Sequence, residues 1–197
     1  MILLNKDQVF EKIKEAAPRV EDITKLKTDL NGLEVNLLKR REIIKNEDGN
    51  FLQRYASGIF DSALYNYNPK GIDLPKLVFG NEDEFGLTIG HELVHNIQSS
   101  NFPQFYENPF NVTELDYFAE GDASLVEDIL YEKFYQNAKV FGDSIFRFLN
   151  NLIFPEDCNL YDRSKEILKK KFNGNRKDIN ELYAAPIEEF KKIFGEN

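Results

Sequence analysis

A chain of 197 residues and 23.0 kDa is the size of one domain, large enough to bury roughly 70% of its unfolded surface without a metal or disulfide to hold the core. Its 25 basic and 34 acidic side chains leave a formal charge of −9, which argues against the basic footprint of a nucleic-acid-binding protein. The single cysteine, Cys158, excludes an intramolecular disulfide and fits a reducing compartment, and no apolar run approaches the roughly 18 residues of a membrane span, so a soluble cytoplasmic protein is expected.

Residues 5–17 place Val9, Phe10, Ile13, Ala16 and Ala17 at spacings of three and four, which predicts a short amphipathic helix with Asn5 as cap and Pro18 as stop. Over 21–45 two periodicities compete; the alternation of Leu33, Val35 and Leu37 favours one strand at about 33–38. The aromatic-rich stretch 52–67 reads as a strand interrupted at Ser57-Gly58. Asn68-Pro-Lys-Gly supplies a reversal, and 72–79 returns as a second strand that Pro75 confines to an edge or a bulge. Asn81 or Asp83 then caps a helix over about 84–99, with acids at the positive end of its dipole. An irregular connection follows to about 112. A second long helix is predicted over 113–136, and shorter ones over 139–154, 163–172, 177–183 and 186–194.

The predicted fold is therefore α+β: a small antiparallel sheet packed on the 84–99 helix, followed by a mostly helical C-terminal half. A single domain is expected, with an N-terminal lobe over about 1–100 and a helical lobe over about 101–197.

The predicted 84–99 helix carries the only two histidines of the chain, His91 and His95, in the pattern His-Glu-Leu-Val-His. Positions four apart on a helix differ by about 40° after one full turn, so both imidazoles leave one face, stacked to grip a single metal ion. Glu92 lies about 100° round, where it can reach a metal-bound water as a general base without entering the coordination shell. The surrounding Thr88, Ile89, Leu93, Val94 and Ile97 are uncharged, as befits a helix buried beneath a metal.

With no third histidine, the remaining ligand falls among the carboxylates, with Cys158 as an outsider. Glu120 stands out near the start of the next long helix, 25 positions after His95 and beside Ala119, Gly121 and Ala123, whose small side chains let two helices approach closely. On these grounds alone it is equally a solvated helix carboxylate.

Four segments, Ser57-Gly-Ile-Phe-Asp-Ser, His91-Glu-Leu-Val-His-Asn-Ile-Gln, Ala119-Glu-Gly-Asp-Ala-Ser-Leu-Val-Glu and Leu182-Tyr-Ala-Ala-Pro-Ile-Glu-Glu, resemble in order and spacing those of a group of largely uncharacterised prokaryotic zincin-like proteins of the gluzincin type. The resemblance spans roughly residues 52–190, and its two middle segments are the specific ones. It implies a zincin-like fold and one zinc ion held by His91, His95 and Glu120, with Glu92 as base. Two positions depart from the pattern: Ile59 stands where the family has an aromatic residue, and Ala184-Ala-Pro-Ile lacks its Ser/Thr-rich character.

A ligating histidine hands its other ring N–H to an acceptor, for which Asp116 and Asp122 are both candidates. A donor for a developing oxyanion is also needed, and Tyr55, Tyr117 and Tyr183 are candidates; Tyr131 shares the face of Glu120 but lies roughly 16 Å further along the axis. The expected activity is that of a zinc metallopeptidase acting on a peptide or protein. A catalytically silent peptide-binding or regulatory protein on the same scaffold is the alternative.

Overall fold

A computed structural model of the chain describes residues 5–38, 64–67, 70–75, 81–102, 113–138 and 157–194. In chain order they form α1 (Lys6–Thr24), β1 (Glu34–Leu38), β2 (Leu64–Tyr67), β3 (Lys70–Pro75), α2 (Glu82–Asn101), α3 (Thr113–Phe134), α4 (Asp157–Phe172), α5 (Arg176–Tyr183) and α6 (Ile187–Phe194). The fold is α+β and mostly helical. Residues 52–63 of the predicted 52–67 strand and the predicted helix over 139–154 lie outside the described residues, as does most of the 100–112 connection.

Helix α1 opens on a capping box in which the Asn5 side chain accepts from the Gln8 N–H and Gln8 reaches back to the Asn5 N–H. It does not stop at Pro18 as expected but runs on to Thr24. An internal proline costs about 3 kcal/mol. Val20 and Ile23, one turn beyond, are buried in the core at roughly 1.5–3 kcal/mol each, which outweighs that cost. The helix closes where Lys25 turns left-handed (φ 60°) and returns its N–H to Glu21 O at 2.8 Å.

The sheet has the order β1-β3-β2. The expected reversal is present, since β2 and β3 pair antiparallel with Tyr67 opposite Lys70. The sheet as a whole is not antiparallel, however: β1 lies parallel to β3, with Val35 opposite Ile72 and Leu37 opposite Leu74. Alternation of apolar residues marks a strand and its buried face but carries no direction. The long chain between β1 and β2 supplies the length that a parallel return needs. Nor is β3 an edge; Pro75 is its last residue, beyond the last pair with β2 at Asp73, so its missing N–H interrupts no bond on that side.

Two apolar clusters share α3. Ala123, Val126 and Leu130 pack with α1, α2 and the inner residues of the sheet, among them Val20, Val35, Ile72 and Leu93. Leu115, Phe118 and Leu125 pack with Leu168, Ile179, Leu182, Tyr183 and Phe190 from α4, α5 and α6. Helix α3 is thus covered on both flanks, and α2 lies against one of them.

Glycines set how closely these helices approach. A Cβ on Gly90 of α2 would fall 2.5 Å from a Leu130 methyl, and one on Gly121 of α3 would fall 2.3 Å from Ser164 Oγ of α4. The small residues beside Glu120 therefore serve two neighbours: Gly121 admits α4, while Ala123 belongs to the cluster shared with α2. The opposite side of α2 is tied down by Asn96, whose amide accepts from Asp29 N–H and donates to Asp29 C=O, each at 2.9 Å.

Gly86 offers a direct check of this packing. A Cβ there would lie 2.3–3.0 Å from three atoms of the Tyr135 ring, which is itself buried and covered by the Arg19 guanidinium. Replacing glycine by alanine in a helix otherwise gains about 1 kcal/mol. Overpacking costs about 1–3 kcal/mol, so Gly86→Ala is expected to be destabilising by about 1 kcal/mol net in denaturant unfolding. A stabilised variant would show that the ring can move aside.

Candidate metal centre

Helix α2 is started by Asn81, whose side chain accepts from Glu84 N–H at 2.9 Å, with Glu82, Asp83 and Glu84 in its first turn. This phasing buries Phe85, Ile89, Leu93 and Ile97 on the core side and turns His91 and His95 toward α3. The ring centroids lie 5.1 Å apart, and the two Nε2 atoms approach to 3.3 Å. Glu120 of α3 meets both, with Oε2 at 3.2 Å from His91 Nε2 and Oε1 at 3.3 Å from His95 Nε2. The three residues singled out from sequence thus converge, in a group that could hold a metal ion.

The outer ring nitrogens explain why the inner ones point inward. His91 Nδ1 lies 3.1 Å from a Glu127 carboxylate oxygen, and His95 Nδ1 lies 2.8 Å from Gln98 Oε1. Carboxylate and amide oxygens only accept, so each Nδ1 donates; each Nε2 faces the Glu120 carboxylate, which also accepts, and would offer its lone pair to the centre once a metal ion took the place of the proton there. Ligands about 2.0–2.1 Å from a tetrahedral metal are about 3.3 Å from one another. The observed separations of 3.2–3.3 Å match that edge, with the two contacts to Glu120 ending on its two different oxygens. The donor set therefore fits a metal ion.

Charge and burial act together here. Burial disfavours the charged form of His91, but Glu120 and Glu127 outweigh it and hold its pKa well above that of an ordinary histidine. His95 is raised as well, against its burial, chiefly by Glu120. The same attraction, from His95 and His91, overcomes burial at Glu120 and keeps its carboxyl well below the usual range. The carboxylates thus draw positive charge to the cluster, which a proton supplies in the metal-free state and a bound cation would supply in its place.

Glu92 is 6% exposed, and burial raises its pKa while the neighbouring histidines oppose the shift. His91 and Glu120 are half-buried, so the cluster opens toward solvent on their side.

The outer partners differ from those predicted. Asp122 is fully buried and bonds Arg176 and Tyr183 rather than a histidine. The side chain of Asp116 lies outside the described residues. Gln98 and Glu127 take the places foreseen for them. Both carried a signal in the sequence: Gln98 is one turn beyond His95, and Glu127 is seven beyond Glu120, about 20° off the same face. Of the tyrosines, Tyr183 is buried between Phe102 and Phe118 with its hydroxyl on Gln98 and Asp122, and Tyr131 packs against the larger apolar cluster. Tyr55 and the side chains of Tyr117 and Cys158 lie outside the described residues.

No protein-family model matches the chain, and no curated protein or solved structure shows significant similarity to it. Among the described residues, no helix is long and apolar enough to cross a membrane.

If the cluster is a metal centre, Glu127→Ala removes the acceptor that orients His91. Its affinity for a divalent transition metal, measured by competition with a chromogenic chelator, should fall about 10–100-fold, the usual effect of losing an outer partner. His91→Ala should abolish stoichiometric binding.

Proposed function

We propose that this chain is a zinc-dependent metallopeptidase of the gluzincin type, with one zinc ion held by His91, His95 and Glu120 and with Glu92 as general base. The observation that carries the reading is the convergence of two Nε2 lone pairs and one carboxylate at tetrahedral spacing, with Glu92 buried on the same helix. Two imidazoles and a carboxylate form a zinc-peptidase donor set that leaves a position for water. Bound zinc would lower the pKa of that water and polarise the scissile carbonyl.

The protein's own contribution begins with proton transfer. A Glu92 carboxylate oxygen takes the proton of the attacking water and passes it to the leaving amine nitrogen. Its burial suits both halves of the task, because a raised pKa makes the carboxylate a better acceptor and keeps the proton available for delivery. Glu127 and Gln98 hold the imidazoles in one tautomer throughout.

A peptide is the substrate class that the sheet supports. With β3 central, β2 is an edge among the described residues, and it packs against α2. A peptide extended along β2 would add main-chain hydrogen bonds to the sheet, and a zincin-like arrangement is the fold we propose.

Zinc content and hydrolysis of a mixed peptide library by the purified chain test the reading. Glu92→Gln should keep stoichiometric zinc and lose about 10²–10⁴-fold in rate. Hydrolysis that survives in this variant, or a wild-type protein that takes up no zinc, would sink the proposal. Wild-type protein that binds zinc and peptide without turnover would point to the silent peptide-binding alternative.

A further inference from the structure

Behind His95 a line of hydrogen bonds runs from the metal centre to the C-terminal helices. Gln98 Nε2 donates to Ala119 C=O at 3.0 Å and to Tyr183 Oη at 2.5 Å. Tyr183 Oη donates to Asp122 Oδ2 at 2.8 Å. The Asp122 carboxylate, fully buried, is gripped by both terminal nitrogens of Arg176 from the first turn of α5.

The direction of every bond is forced. A guanidinium only donates and a carboxylate only accepts, so the Tyr183 hydroxyl spends its one proton on Asp122 and turns a lone pair toward Gln98. The group of Gln98 facing Tyr183 must then be its NH2; the Ala119 carbonyl favours the same orientation but leaves the amide freer to turn once the hydroxyl is gone. The Gln98 carbonyl is thereby left for His95, and its partner Nδ1 must be the protonated nitrogen.

We propose that Arg176, Asp122, Tyr183 and Gln98 form a one-way hydrogen-bond relay through which the C-terminal helices fix His95 as the Nδ1–H tautomer, so that its Nε2 is free for metal. These are positioning residues, and Gln98 is the one that bonds His95. The relay couples a ligand on α2 to α5, an element that contributes no ligand itself. Ala119, adjacent to Glu120, shares Gln98, so the same amide sets the spacing of the two ligand-bearing helices. The effect on metal affinity rests on the zinc reading above; the tautomer does not.

Tyr183→Phe removes one hydroxyl and keeps the ring stacked on Phe102 and against Phe118, so it is the variant least prone to misfold. Three measurements on the full-length chain decide the matter. In metal-free protein at alkaline pH, the ¹⁵N shifts of the His95 ring should report Nδ1–H in wild type and a shift toward mixed tautomers in Tyr183→Phe. Zinc affinity by chelator competition should fall roughly tenfold in Tyr183→Phe and about 10–100-fold in Gln98→Leu. In the double variant the loss should equal that of Gln98→Leu alone, because the hydroxyl acts only through the amide.

Unchanged His95 shifts in a folded Tyr183→Phe protein, or additive losses in the double variant, would overturn the relay. Absence of zinc binding in wild type would overturn the metal reading, and the ring shifts would still decide the relay.

Discussion

Two imidazole nitrogens held 3.3 Å apart, each offering a lone pair, repel unless a cation or a proton lies between them. The rest of the structure holds this arrangement. Glu127 and Gln98 take up the outer N–H groups, Glu120 supplies negative charge on the inner side, and the apolar face of α2 is sealed into the core by Leu93 and Ile97. Removing Gln98, the buried one of these partners, costs more than making the bond gains, because the remaining group is left unsatisfied away from water. The centre and its supports therefore form one unit spread over α2, α3 and α5.

That unit explains the division of labour along α3. In its middle, successive residues face different neighbours: Ala119 takes Gln98, Glu120 meets the histidines, Gly121 admits α4, Asp122 holds α5, and Ala123 enters the core under α2. With 100° between successive residues, such a stretch turns through more than a full circle and leaves no face idle. The helix consequently has a weak apolar stripe and needs cover on several sides, which the two apolar clusters supply.

The parts of this design legible in the sequence are those governed by short-range periodicity. His91 and His95 share a face because they are four apart, Asn81 caps because its side chain precedes the first turn, and the Leu33–Leu37 alternation marks β1. Contacts made across elements were harder to read. Glu120 became a firm candidate only through a resemblance to other proteins, since its acidity and small neighbours are shared with many surface helices. Asp122 is, with Asp116, a candidate partner for a histidine because it lies near Glu120 in sequence. Two positions along a helix amount to a turn of about 200°, which sends it to the opposite side and into Arg176. The parallel direction of β1 and the passage of α1 through Pro18 are likewise settled by tertiary packing, to which local propensity yields.

The contacts of Gly121 and Gly90 carry a mechanical implication. Gly121 has α4 pressed against its bare Cα, and Leu130, two and a half turns further on and well round the axis, fills the space left by Gly90. These two stops lie on different sides of α3 and oppose its roll in either sense. On a helix whose side chains reach about 5–6 Å from the axis, a roll of about 20° carries a side-chain tip about 2 Å. That displacement is the length of one coordination bond. The lever arm of Glu120 is thus clamped by two residues that have no side chain, and the tolerance of the candidate metal centre is set by the absence of atoms at positions outside the ligand cluster.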